Sequence, residues 1–295
     1  MNLQLLFKEE ICFIEELTPG YDGHASEVFL VKTKKEEVIV RTSRIENIHN
    51  NPFWEGGRIS FGINPQKVHE TFSVNNSLRE IRNIQVPEIV ENCYYLKEYC
   101  KVEKLEGKTI QSFMKLRHDV LVKLGRGLAE IHKKDRGYIG NPKGTFQIPT
   151  SNFHLHLIRC MEDLINRFHS DNEKIVSLLP SIIEMIKILP SPTNSTYILL
   201  DMDPTQFIID ENFGTIGLVD TEAYAIGPRE FDLIALEYLL DECSAAPFLE
   251  GYCSILELPD LSSYRMPYRY FYRLLEVQGR VECEKWLNQP VLFNK

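Results

Sequence analysis

The sequence lacks several features that would point to other functions. No apolar run approaches the ~20 residues of a membrane span. The first ten residues, Met1–Glu10, hold one short apolar run broken by Lys8, Glu9 and Glu10, which does not read as a signal peptide. The seven cysteines are odd in number and scattered, and none forms a Cys-x-x-Cys pair, so they read as buried thiols of a reducing cytosol rather than as disulfides or metal ligands. Positive charge is also in deficit. The formal net charge is −9, which argues against nucleic acid as a main partner, because phosphate backbones are bound by basic surfaces. At 295 residues the chain can hold one large domain or a two-lobed one.

Apolar runs of strand length deliver the chain to polar groups at one place above all. Tyr197–Leu200 leads to Asp201. Phe207–Ile209 follows Gln206, and Ile216–Val219 leads to Asp220. An acid just past a buried strand is held at the rim of a sheet, where a rigid scaffold suits catalysis. Asp203 precedes Pro204 and reads first as a turn cap. Upstream, Glu27–Lys32 and Glu37–Thr42 read as a strand pair joined by Thr33–Glu36, after a turn-rich loop containing Gly20 and Gly23. Glycines there would let backbone approach phosphate oxygens. Residues 47–76 are rich in Asn, Gly and Pro. They read as an insertion, partly ordered, lying over a cleft or on a small lobe.

Helical spacing marks Leu116–Lys133, Phe153–Phe168, Lys174–Leu189 and Glu230–Glu242, with a shorter helix over Ser77–Ile84. His132 reads as a packing residue. His154 and His156 stand two apart, so on a helix they share no face and make no metal pair. The tyrosines between Tyr264 and Tyr272 read as core, with an acceptor pocket as the alternative.

Taken in order, Leu199-Leu200-Asp201, Gln206, Val219-Asp220-Thr221-Glu222 and Gly227-Pro228-Arg229-Glu230-Phe231-Asp232-Leu233 resemble the catalytic loop, the metal loop and the following segment of the aminoglycoside phosphotransferase and choline kinase group. Leu199 and Leu200 stand where that group has His and Gly, and Gln206 where it has Asn. The resemblance implies an α+β, protein-kinase-like fold in two lobes. Residues 1–102 would form a small antiparallel-sheet lobe covering the nucleotide, with the 47–76 insertion. Residues 103–295 would form a larger helical lobe. It further implies a phosphotransferase that moves the terminal phosphate of ATP or GTP to a hydroxyl of a small molecule, with Mg2+, in the cytoplasm. Asp201 would be the base, and Asp220 and Gln206 the metal contacts. Arg41 would stand for the phosphate-binding Lys, with Glu80 as its helix partner. Gly23 would approach phosphate, and Glu103 and Leu105 would form the hinge that meets the base. Asp232 would hold the loop, and Glu222 would contact acceptor or metal. Because the family His, Gly and Asn are replaced, a kinase-like nucleotide-binding or scaffold protein without turnover is the alternative. A third reading takes Asp201-Met-Asp203 as the Asp-x-Asp of a nucleotide-sugar transferase, but the upstream hairpin pattern is not the strand–helix alternation such a fold wants.

Overall fold

A computed structural model describes residues 2–17 and 25–294. Gly20 and Gly23 lie outside the described residues. A short 3₁₀ turn, Leu3–Leu6, precedes strand β1 (Ile11–Glu16), and β2 (Ser26–Thr33) and β3 (Glu37–Ser43) form the expected hairpin. Helix α1 (Pro52–Phe61) and helix α2 (Thr71–Leu78) follow, then β4 (Ile84–Gln85), β5 (Ile89–Tyr95), β6 (Lys97–Glu103) and β7 (Lys108–Thr109). The chain continues through α3 (His118–His132), β8 (Ile139–Gly140), β9 (Gln147–Ile148), α4 (Phe153–Leu164) and α5 (Glu173–Lys187). It then runs through β10 (Thr196–Leu199), β11 (Phe207–Asp210), β12 (Thr215–Leu218), β13 (Tyr224–Gly227), α6 (Glu230–Leu236), α7 (Glu242–Cys253), α8 (Arg265–Leu275) and α9 (Cys283–Leu287).

Strands β1-β2-β3-β6-β5 form an antiparallel sheet in that order. The β5–β6 hairpin turns at Leu96 (φ 63°). Two further four-stranded sheets, β10-β13-β8-β9 and β4-β12-β11-β7, carry the catalytic-type loops on the helical body. The fold is therefore α+β and two-lobed, with a sheet-rich part set over a mainly helical one. No helix among the described residues is long and apolar enough to cross a membrane.

Four expectations need correction. The 47–76 segment is not a loose insertion on the small lobe; of the two placements expected, the one at the cleft holds, since Asn51, Phe53 and Trp54 line it. Pro52 at the first helical turn and the Asn51 cap start α1, whose Trp54 and Phe61 join the core of the helical body. Gly56 lets α1 sit directly on α8, since a Cβ there would stand 2.1 Å from Leu275 Cδ2. Helix 77–84 is instead α2, ending at Leu78. The 230–242 helix breaks after Leu236, and α7 starts from an Asp241–Ser244 capping box. The tyrosines of α8 are core: Tyr268 stacks on Phe231 at 3.9 Å, and Tyr268, Tyr270 and Tyr272 are all buried. All seven cysteines are free thiols, but Cys12, Cys243 and Cys253 are exposed rather than buried.

Candidate active site

The first catalytic-type loop is fixed from beneath. Strand β10 is buried throughout. At its end the Leu199 N–H donates to Asp232 Oδ1 at 2.8 Å. Asp232 Oδ2 lies 3.1 Å from His132 Nε2, whose Nδ1 lies 3.0 Å from the Tyr252 hydroxyl. Burial pushes the Asp232 carboxyl up, and His132 pulls against it. The structural roles expected of Asp232 and His132 thus meet in one network that anchors the turn to Asp201.

Asp201 is half-buried, and its Oδ2 accepts Gln206 Nε2 at 3.0 Å. Burial, then the neighbouring Asp203 and Asp220 carboxylates, push its pKa up to about 7. Asp203 caps the turn after it. Its Oδ1 accepts the Thr205 N–H at 2.8 Å and the Thr205 hydroxyl at 2.6 Å. Asp220 follows β12. Its Oδ2 pairs with Arg41 Nη2 at 2.9 Å, and its Oδ1 accepts the Glu222 N–H at 3.2 Å.

Arg41 reaches down from β3 and is caged by the metal-loop segment. Nη1 donates to the Val219 carbonyl, and Nη2 also lies 3.3 Å from Glu222. Burial works against the Arg41 charge, but Asp220 and Glu222 outweigh it and hold the guanidinium protonated. Glu222 is closed on its other side by Ser26, whose hydroxyl donates to Oε1 at 2.6 Å. Burial pushes Glu222 upward and Arg41 opposes this. The Arg41 Nε is buried without a hydrogen-bond partner among the described residues.

Glu80 is not the partner of Arg41. It is exposed, pairs with Lys134 at 2.5 Å, and is not among the residues that line the cleft. The acid that pairs with Arg41 comes from the same loop as Asp220. Helix α2 meets that loop through Asn75, whose Oδ1 accepts the Thr221 hydroxyl at 2.5 Å. At the hinge, the Glu103 N–H is already committed to the Glu88 carbonyl at 2.8 Å, so it cannot meet a base. Glu103 and Leu105 both line the cleft, and Leu105 supplies an apolar wall.

Asp201, Asp220, Gln206, Arg41, Glu103 and Leu105 line one cleft of about 1010 Å³ between the sheet and the helical body. The donor set suits a hard divalent cation: the Asp220 carboxylate and the Gln206 Oε1, whose Nε2 is committed to Asp201. No three His, Cys, Asp or Glu side chains converge on a metal position among the described residues. A cation here would take one or two protein oxygens and complete its shell with phosphate and water, the habit of magnesium.

The Ser26–Glu222–Arg41 cage was not read from the sequence, whereas the cleft wall from Asn51, Phe53 and Trp54 falls in the 47–76 segment expected over a cleft. The turn Glu276–Gly279 was not read either. The pair Gly56-Gly57 after Trp54 was the available signal, since adjacent glycines in a helix invite close packing.

Neither a protein-family model nor a curated protein sequence matches the chain. Solved structures do. An aminoglycoside 2'-phosphotransferase-IIIa, solved as a GDP complex, superposes with a TM-score of 0.61 at 14% identity, over 97% of this chain and 91% of that one. A macrolide 2'-phosphotransferase from Brachybacterium faecium gives 0.60 at 11% identity, over 98% and 97%. Choline kinase from Cryptosporidium parvum Iowa II gives 0.56 at 11% identity, over 94% and 86%. The chain has the two-lobed, kinase-like fold of these small-molecule phosphotransferases.

Proposed function

We propose that the protein is a phosphotransferase that moves the terminal phosphate of ATP or GTP to a hydroxyl of a small molecule. The observation that carries this is the shared cleft: Asp201 and Asp220, on consecutive loops of the helical body, face it together with Arg41 from the sheet. Phosphoryl transfer asks little covalent work of a protein, only alignment and neutralisation of charge. Asp201 orients the acceptor hydroxyl and takes its proton on the carboxylate. Gln206 holds Asp201 in place through Oδ2. Asp220 and the Gln206 carbonyl oxygen would hold magnesium, which supplies positive charge to the terminal phosphate oxygens. Arg41 brings positive charge to the cleft while its two Nη atoms keep the Asp220 segment in register. Leu105, with Leu30, Ile39, Val102 and Ile208, gives the base an apolar slot.

A nucleotide-binding protein without turnover is the second reading. The Arg41 cage favours it, because a guanidinium tied to three acceptors is less free than a lysine to follow a moving phosphate. Calorimetric titration with ATP and GTP, with and without magnesium, tests the shared part. Asp220→Ala should abolish the magnesium-dependent share of nucleotide affinity, and unchanged affinity with magnesium counts against the assignment. Asp201→Asn should keep nucleotide affinity and lose roughly 10²–10⁴-fold in transfer. Transfer at the wild-type rate removes Asp201 as base, and no transfer by wild type to any of a broad set of acceptors leaves the second reading.

A further inference from the structure

Strand β1 is a free edge of the small-lobe sheet. It pairs with β2 and has no strand on its other side among the described residues. The Leu17 N–H donates to the Val28 carbonyl at 2.8 Å. Backbone groups along an antiparallel strand alternate in direction, so those of Phe13, Glu15 and Leu17 face β2 and those of Ile14 and Glu16 face outward. The outward groups have no hydrogen-bond partner among the described residues. A bulge between Ile11 and Phe13 ends this regular stretch. The side chains leave it open as well. Phe13 is 44% exposed and Ile14 49%, on opposite faces of the strand.

Natural sheets blunt such edges with charge. Here the charge is of one sign. Glu9 and Glu10 precede the strand, and Glu15 and Glu16 end it. Glu9 pairs with Lys35 and Glu16 with Arg44, but Glu10 and Glu15 have no ion pair among the described residues. Lys32, opposite Phe13, is committed to Glu37 at 3.2 Å. This guard works against a second copy of the chain. Antiparallel self-pairing that uses both outward residues would set Ile14 opposite Glu16, and Glu15 opposite its own copy, with like charges directly opposed. An apolar strand with Lys or Arg at both ends meets no such penalty. It would gain the outward backbone hydrogen bonds, an apolar contact on each face, and opposite charge at each end.

We propose that the outer edge of β1 is a docking surface for an extended segment of another protein, apolar at its centre and basic at both ends, which adds as a further strand. Glu15, Glu16 and Leu17 also line the cleft, so the added strand would lengthen the sheet at the cleft mouth. The surface is defined by backbone and charge and does not depend on what the cleft binds.

The test uses the full chain and two blocked heptapeptides. One is Val-Ile-Val between two lysines on each side, and the other carries glutamates in place of the lysines. In calorimetric titrations at low salt the basic peptide should bind roughly tenfold more tightly than the acidic one. At saturation it should slow amide hydrogen exchange at Ile14 and Glu16 roughly tenfold, and leave Phe13 and Glu15, already bonded to β2, unchanged. Ile14→Pro removes an outward N–H and no β1–β2 hydrogen bond, so it should weaken the basic peptide roughly tenfold. Glu10→Lys/Glu15→Lys should reverse the preference in favour of the acidic peptide, a gain that an unfolded edge cannot give. No binding of the basic peptide up to about 1 mM overturns the proposal. So does binding that leaves Ile14 and Glu16 unprotected, or a preference that survives Glu10→Lys/Glu15→Lys. A dimer in sedimentation with both amides protected before any peptide is added overturns it too, by giving the edge to a second copy.

Discussion

Replacing Arg41 by Met tests whether the cage of Arg41, Asp220 and Glu222 contributes to folding. The guanidinium is nearly buried, its side chain 11% exposed, and Glu222 is more so at 5%. Met fills a similar volume but returns no charge. Asp220, 32% exposed, can recover much of its solvation from water. Glu222 cannot, and is left with the Ser26 hydroxyl. Removing one partner of a buried pair costs about 3–5 kcal/mol, and the exposure of Asp220 argues for the lower end, about 3 kcal/mol. For a chain somewhat above 250 residues that is a fall in Tm of roughly 5–10 °C. Thermal unfolding followed by circular dichroism, without nucleotide or magnesium, gives the number. The double variant Arg41→Met/Glu222→Gln should recover about half of the loss, because Gln can still accept from Ser26 and carries no stranded charge. A single variant that costs under about 1 kcal/mol, or a double variant with no recovery, refutes the cage as a stabilising element.

Two further outcomes are expected. His154 is buried against the Tyr268 hydroxyl at 3.1 Å, and burial pushes its pKa down from 6.5 to about 4. The unfolded chain takes up that proton first, so the stability His154 confers is whole above pH ~6.5 and lost as pH falls toward ~4, at most about 3 kcal/mol. His154→Gln should flatten that acid limb in a pH series of Tm, and an unaltered limb removes His154 as its cause. Gly56→Ala should destabilise by about 1–2 kcal/mol despite the better helix propensity of alanine, because the added methyl meets the fully buried Leu275. The same change made with Leu275→Ala should cost nothing further in urea melts, and a persistent cost would mean that α1 and α8 do not pack as described.

The loops that bring Asp201, Gln206 and Asp220 to one cleft were legible in the sequence because their physics is local. A short buried strand with a polar group at its end can be read without knowing what packs on it. Capping is equally local, so Asp203 was read correctly as a turn residue. Asp232 carried its assignment from the loop it follows, and the His132 contact that completes its network lies 100 residues away. Segment 47–76 misled for the opposite reason. Its glycines, asparagines and charges look like a solvated loop, yet Asn51 caps a helix and Gly56 is a packing contact. Glu55 is fully buried because His49, Arg58 and Arg167 all bind it. None of those partners except Arg58 stands at helical spacing from Glu55, so no periodicity could have found them.

Glu80 and Glu222 make the same point at the site itself. A phosphate-binding cation on an inner strand needs a carboxylate to hold it, and helix position suggested Glu80. What decides is reach. Lys134 stands beside Glu80 and takes it, while α2 turns Asn75, a neutral residue, toward the metal loop. The negative charge that Arg41 requires is supplied instead two residues after Asp220. That substitution has a functional consequence. A carboxylate on the helix would tie the cation to helix movement, as happens where helix position switches activity. With Glu222 in that role, Arg41 and Asp220 are held by one continuous loop, and their relative placement no longer depends on where α2 sits. The arrangement suits a site assembled before its ligand arrives, and it gives an arginine, bulkier and less mobile than lysine, a use at this position: its fork holds the loop through both Nη atoms.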